Sequence, residues 1–262
     1  MSEHRAPGDA FFRVDGLTAG YGGSPVVKAV SLTVGRGEIV CIVGPNGAGK
    51  STVLKALTGV LTPAEGATRL GGEEVTGLPS EVLAAKGLGY VPQVGDVFDT
   101  LSVAENLEMG GYLLSKEELP VRTGQILEKF SLLQTLYGRI ASTLSGGERK
   151  LLAISRALML EPRLLILDEP TANLSPEASK MILRELRSLA EFGTAILLVE
   201  QRVRDALEIS DRACVLVAGE IALEGPAPKL LARDDLGEIF LGGGKSAAAD
   251  PDGGDRLYSE RA

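Results

Sequence analysis

The chain has 262 residues, enough for one α/β domain with a smaller attached lobe. A formal charge of −8 and an aromatic content of 4% supply neither a basic face nor stacking platforms, so no nucleic-acid partner is expected. No apolar run reaches the roughly 18 to 20 residues of a membrane span, and no charged-then-apolar secretory leader opens the chain.

In chain order, Phe11 to Val34 reads as an antiparallel β start, and Glu38 to Val43 as a buried strand. GPNGAGKST follows at residues 44–52 and leads into a helix from Lys50 to Leu57 that stops at Gly59. After a further strand ending near residue 70, Gly71, Gly72 and Gly77 punctuate a connection, and Pro79 to Lys86 reads as a helix halted by Gly87. Ser102 to Arg139 has a helical pattern, opened by a Ser102/Glu105 capping box and expected to break near Pro120. LSGGE at residues 144–148 contains another capping box, Ser145/Glu148, ahead of a helix from Arg149 to Leu160. Leu164 to Leu167 is an aliphatic run suited to a parallel strand buried on both faces, with Asp168 and Glu169 at its carboxyl end. Ser175, Pro176 and Glu177 form a helix start, and Ala195 to Gln201 a second apolar strand. A hairpin at residues 219–225 and a short helix near Lys229 to Leu231 close the domain. Residues 242–262 lack an apolar period and read as a disordered tail. Cys41 and Cys214 lie inside apolar strands as small buried hydrophobes rather than a disulfide framework, which points to a reduced, cytosolic compartment.

The chemistry is concentrated in three segments. Residues 44–52 match G-x-x-x-x-G-K-[ST] with Gly44, Gly49, Lys50 and Ser51, and Thr52 adds a second hydroxyl. Glycine there lets backbone N–H groups wrap a phosphate, and the helix beginning at Lys50 aims its positive end at the same place. Lys50 suits the β- and γ-phosphates, Ser51 suits Mg²⁺, Asp168 suits the Mg²⁺ shell, and Glu169 can polarise the water attacking the γ-phosphate. Adjacent Gly146 and Gly147 are more than a helix cap needs. They would leave a second bare anion site, and the γ-phosphate of a partner subunit is the economical ligand for it.

These three motifs, in this order, resemble the nucleotide-binding subunit of ATP-binding cassette (ABC) transporters across about residues 11–241. The resemblance implies a P-loop ABC ATPase of α/β class, with a mostly parallel core sheet, an N-terminal antiparallel β subdomain and an inserted helical subdomain at about 94–143. It also implies ATP and Mg²⁺ as ligands. Gly44, Pro45, Asn46, Gly47, Ala48, Gly49, Lys50, Ser51 and Thr52 would cradle one nucleotide, while Ser145, Gly146, Gly147 and Glu148 would close over the nucleotide of a second ABC ATPase subunit. Tyr21 falls where the family stacks an aromatic ring on adenine, and Gln93 matches a glutamine that contacts Mg²⁺ or the attacking water. Gln201 stands where many members have a histidine. It can donate to a phosphate oxygen but carries no proton to exchange, so Glu169 is expected to orient the water while Gln201 senses the γ-phosphate. Ser175 stands where many members have aspartate.

The segment 97–110, the ending Val199-Glu200-Gln201, and Phe240-Leu241-Gly242 resemble the branched-chain amino acid importer ATPases of the LivF type; Gln93 departs from the glutamate common there. The implied assembly has integral membrane permease subunits, a second cassette as homodimer or heterodimer, and indirectly an extracytoplasmic solute-binding protein. The implied location is peripheral, on the cytoplasmic face of the inner membrane. Related urea or amide importers share the pattern, and a soluble ABC ATPase outside transport is the further alternative. Residues 94–115 are the expected permease-facing surface, with Val97 and Phe98 as its apolar contacts.

Overall fold

The computed structural model describes residues 10–233 and 235–240; His4 and the tail expected at 242–262 lie outside the described residues. β1 (Ala10–Tyr21) and β2 (Ser24–Gly35) form an antiparallel hairpin. β3 (Ile39–Val43) runs through the glycine-rich loop into α1 (Lys50–Leu57). β4 (Glu65–Leu70) and β5 (Glu73–Glu74) rejoin the first sheet, whose order is β2-β1-β4-β5. Next come α2 (Ser80–Ala85) and β6 (Leu88–Val91), then α3 (Val103–Gly110), α4 (Glu118–Lys129) and α5 (Ser131–Thr135). α6 (Gly146–Leu158), β7 (Leu164–Asp168), α7 (Pro176–Glu191), β8 (Ala195–Glu200), α8 (Val203–Ile209) and β9 (Arg212–Val217) alternate. β10 (Glu220–Pro226), α9 (Ala227–Leu231) and α10 (Leu236–Phe240) complete the described chain.

The second sheet has the order β10-β9-β3-β8-β7-β6 and is parallel except for its β9–β10 hairpin. Its central strands are apolar throughout because both faces are covered. Ile39, Cys41 and Val43 of β3 point into the core shared with α6, α7 and α8. Val40 and Ile42 point into the core shared with the first sheet and α1. Cys41 and Cys214 therefore sit on opposite faces of the sheet, and burial pushes the Cys41 thiol up to about 12. Both remain un-ionised packing groups.

Three sequence expectations need adjustment. Pro120 does not interrupt a helix: it lies in the first turn of α4, where its missing N–H has no helical acceptor to satisfy. The break falls instead between Gly110 and Glu118. α6 begins at Gly146 rather than Arg149, because the Ser145/Glu148 capping box is fully formed and starts the helix inside the glycine pair. Val97 is not a surface residue; it is buried in the core against the helices, while Phe98 is 43% exposed. The fully buried Asn106 amide fixes this alternation. Its Oδ1 accepts from the Phe98 N–H (2.8 Å) and its Nδ2 donates to the Phe98 (3.0 Å) and Ser102 (2.9 Å) carbonyls.

Candidate active site

The loops at the carboxyl ends of β3, β6, β7 and β8 meet on one edge of the parallel sheet, where open α/β sheets bind ligands. At the end of β3, the loop 44–49 leaves no room for side chains at two glycines. A Cβ on Gly44 would lie 2.1 Å from the Leu216 carbonyl oxygen, and one on Gly49, at φ +103°, would lie 2.5 Å from Val27 Cγ1. Ala48 is buried against the first sheet and anchors the loop from below, and Thr52 is buried at the start of α1. Pro45, Asn46, Gly47 and Ser51 complete the turn and the helix entrance.

Lys50 Nζ donates to the carbonyls of Gly44 (2.7 Å) and Pro45 (3.1 Å), so the ammonium is held inside the curl of the loop. Burial lowers its pKa, while the neighbouring charges of Glu169 and Asp168 pull it back up. Asp168 is shifted the other way: burial raises it, Glu169 adds to the rise, and Lys50 opposes it. Asp168 Oδ1 is buried without a hydrogen-bond partner. An orphaned carboxylate oxygen is an unfavourable arrangement unless a ligand completes it.

Glu169 adopts φ +45°, the left-handed region that a non-glycine residue enters only under constraint, and its N–H donates to the Val199 carbonyl (2.8 Å). This turn swings the side chain out of the strand line and between two glutamines. Gln93 Nε2 donates to Glu169 Oε2 at 2.8 Å and Gln201 Nε2 to Oε1 at 2.7 Å. The structure thus brings together Lys50, Gln93, Asp168, Glu169 and Gln201. Both glutamines are exposed, whereas Glu169 is 7% exposed.

An Mg²⁺ ion fits this donor set. The Ser51 hydroxyl, the Gln93 amide oxygen and Asp168 are hard oxygen donors, and the unpartnered Asp168 Oδ1 is the atom an ion would satisfy. Among the described residues no group of three or more His, Cys, Asp or Glu could hold a metal alone.

Tyr21 ends β1 beside the Gly22-Gly23 turn, 51% exposed, with Lys55 Nζ 3.4 Å from its hydroxyl. The same ammonium lies 5.7 Å from the centroid of the ring.

Ser145 to Glu148 stand apart. Ser145 Oγ accepts from the Glu148 N–H (3.3 Å) and Glu148 Oε2 from the Ser145 N–H (2.7 Å). Among the described residues no hydrogen bond or ion pair joins this turn to residues 44–52. The structure also supplies a packing reason for Gly147: a Cβ there would lie 2.9 Å from Ala178 Cβ on α7. Ser175 caps α7 by accepting from the Ala178 N–H (3.2 Å), with Pro176 at the first position, which matches the local reading of that segment.

Sequence reading missed Glu200. It closes β8, only 2% exposed, and its Oε1 accepts from Thr171 N–H (2.8 Å) and Thr171 Oγ1 (2.7 Å). It thereby ties the segment after Glu169 to the strand that carries Gln201. Burial raises its pKa, and the Thr171 hydrogen bonds act against that rise. The available signal was a carboxylate ending an otherwise apolar strand. A groove of about 430 Å³ was also missed. It opens between β6, α3 and α6, lined by Tyr90, Phe98, Met109, Tyr112, Arg156 and Pro162. The Arg156 guanidinium lies 4.9 Å over the Phe98 ring and forms no ion pair among the described residues.

A family model described as ABC transporter matches residues 27–172. The chain is 41% identical over 229 residues to the high-affinity branched-chain amino acid transport ATP-binding protein BraG of Pseudomonas aeruginosa, covering 87% of this chain and 98% of the relative. It is likewise 41% identical over 227 residues to a probable branched-chain amino acid transport ATP-binding protein LivF of Archaeoglobus fulgidus, covering 86% and 96%. Among solved structures, the ADP conformation of an ATP-binding cassette of an ABC transporter superposes with a TM-score of 0.81 at 28% identity, covering 89% of this chain and 99% of that one. A dimeric post-hydrolysis cassette bound to ADP and Pi gives 0.72 at 27% identity, covering 82% and 98%.

Proposed function

This chain belongs to the ABC transporter family and is one of its ATP-hydrolysing subunits, and from that premise we propose that it powers a membrane importer for branched-chain or other hydrophobic amino acids. The observation that carries the catalytic part of this reading is the convergence of Lys50, Gln93, Asp168, Glu169 and Gln201 at the ends of adjacent strands. The two 41% identical relatives support the solute class.

In this reading Tyr21 stacks on adenine. The N–H groups of residues 44–49 and the N-terminus of α1 receive the phosphates, and Lys50 reaches the β- and γ-phosphates from its place inside the loop. Mg²⁺, held by Ser51, Asp168 and Gln93, would neutralise charge on the β- and γ-phosphates when bound. Glu169 accepts a hydrogen bond from the attacking water and aligns it with the γ-phosphorus. The Gln93 and Gln201 amides hold that carboxylate in one orientation, and with Glu169 in this place Gln201 contacts both the γ-phosphate and the base. Ser145, Gly146, Gly147 and Glu148 close over the γ-phosphate of a second cassette, an arrangement supported by the likeness to a dimeric cassette.

Residues 94–143 act as the helical subdomain, and the groove beside Phe98 and Arg156 receives a permease segment. Among the described residues no helix is long and apolar enough to cross a membrane. In this reading the solute path belongs to permease subunits, with this chain docked on their cytoplasmic face.

The test is affinity purification from detergent-solubilised membranes followed by reconstitution. Expected are co-purifying permeases, ATP turnover that rises with protein concentration, and ATP-dependent uptake of leucine or isoleucine. Full turnover by a strictly monomeric preparation, indifferent to Ser145→Ala, would overturn the paired site. Uptake of urea in place of leucine would overturn only the solute.

A further inference from the structure

α6 carries a charge where its apolar stripe should be unbroken. Its buried residues include Gly147, Lys150, Leu151, Ile154, Ser155 and Leu158, so Lys150 occupies a core-facing position. Its ammonium donates to Asp96 Oδ2 at 2.5 Å, and the two side chains are 7% and 9% exposed. The same ammonium lies 3.5 Å from the Pro92 carbonyl oxygen. Pro92 and Asp96 bracket Gln93, whose amide holds Glu169. Two further cations of α6 reach the same loop: Arg149 pairs with Asp99, and Arg156 lies over the Phe98 ring. The loop from Pro92 to Asp99 is therefore fastened along one face of the helix whose N-terminus is Ser145.

A buried ion pair is a poor device for stability alone, since apolar side chains of similar volume usually serve as well or better. What it does enforce is one relative placement of the two groups it joins. We propose that Lys150 and Asp96 are positioning residues that make the Gln93 loop and the N-terminal half of α6 one rigid unit. Displacement of the 145–148 turn against a partner's nucleotide is thereby transmitted to Gln93, and through it to Glu169 in this chain's own site. The proposal rests on the paired-site reading above and adds to it a physical link between the two nucleotide sites. The unit has two ends, each contacting a different nucleotide, which is the minimum that coupling between sites requires.

The experiment uses the full chain in the pairing in which it hydrolyses ATP. Single substitutions leave a buried charge without its partner and would damage the fold directly, so the informative variant is the neutral pair Asp96→Leu/Lys150→Met. Expected are a melting temperature at or above wild type, a Kd for trinitrophenyl-ATP within about twofold of wild type, and a kcat lowered roughly tenfold or more. Lys150→Arg, which keeps the charge, should hold kcat within about threefold of wild type. A folded neutral pair with wild-type kcat overturns the proposal. Should that pair fail to fold, the charge-reversed Asp96→Lys/Lys150→Asp decides: recovered turnover supports the link, and lost turnover with intact nucleotide binding overturns it. Failure of the paired-site reading would look different, because wild-type turnover per molecule would then be independent of protein concentration.

Discussion

Replacing Gln201 with alanine isolates the contribution of one hydrogen bond to the carboxylate proposed as catalytic, Glu169. In the structure Gln201 Nε2 donates to Glu169 Oε1 at 2.7 Å, a charge-assisted bond of the kind that contributes about 1.5–3 kcal/mol. Gln201 is exposed and water competes for the vacated oxygen, so the lower end of that range applies. The second oxygen also keeps its bond from Gln93 at 2.8 Å. About 1.5 kcal/mol corresponds to roughly a tenfold fall in kcat if the bond orients Glu169 in the transition state. Steady-state hydrolysis over a range of ATP concentrations, paired with trinitrophenyl-ATP titration, separates the possibilities. The expected result is a tenfold lower kcat with little change in Kd, and a Gln93→Ala/Gln201→Ala double variant whose loss differs from the sum of the singles, because both amides act on one carboxylate. An unchanged or increased kcat would refute the reasoning, since the bond would then merely occupy Glu169 in the resting protein. A raised KM alone would assign Gln201 to ground-state phosphate binding.

Glu169→Gln should lower hydrolysis by roughly 10²-fold or more while ATP binding persists, as measured by phosphate release and nucleotide titration; near wild-type turnover would remove Glu169 from its role. Gly147→Ala should destabilise the fold by about 1–3 kcal/mol, because the new methyl meets Ala178 Cβ at 2.9 Å, and calorimetric melting of the purified chain checks this independently of any partner. Burial raises Glu200 above the ordinary carboxylate range. The folded state therefore keeps its proton after the unfolded chain has lost it, and stability falls as pH rises from the ordinary glutamate value through the raised one. Asp168 is raised too, so in chelator-treated, nucleotide-free protein Glu200→Gln should flatten this fall without abolishing it, and an identical slope in melts from about pH 4 to 8 would contradict the assignment. Phe98→Ala and Arg156→Ala should weaken co-purification with permeases and uptake while leaving trinitrophenyl-ATP binding within about twofold, and equal loss of both would count against the groove as the docking surface.

Much of the fold was legible because local and global preferences agree. Four aliphatic residues before Asp168, and five apolar residues before Glu200, have only one comfortable environment, a strand covered on both faces. The glycine loop was legible for the same kind of reason: its sequence satisfies a backbone that admits no Cβ at Gly44 or Gly49. The capping box at Ser102 placed the start of α3 correctly, the box at Ser145 marked α6 but the helix begins three residues earlier than read, and Pro120 misled, since periodicity cannot distinguish a proline in the first turn from one in a helix interior.

Residue types and spacing by themselves determined the glycine-rich loop between strand and helix, the acidic strand end, the alternating α/β order and the parallel sheet. Only the tertiary structure decided that Gln93 and Gln201, more than a hundred residues apart in sequence, share the two oxygens of Glu169. It alone decided that Lys150 finds Asp96, that Glu200 secures Thr171, and that Val97 turns inward while Phe98 faces the groove. The physical reason is range. Backbone propensity and apolar period act within a turn or a strand, whereas the partner of a polar side chain is fixed by which strand ends and helix faces the core brings together.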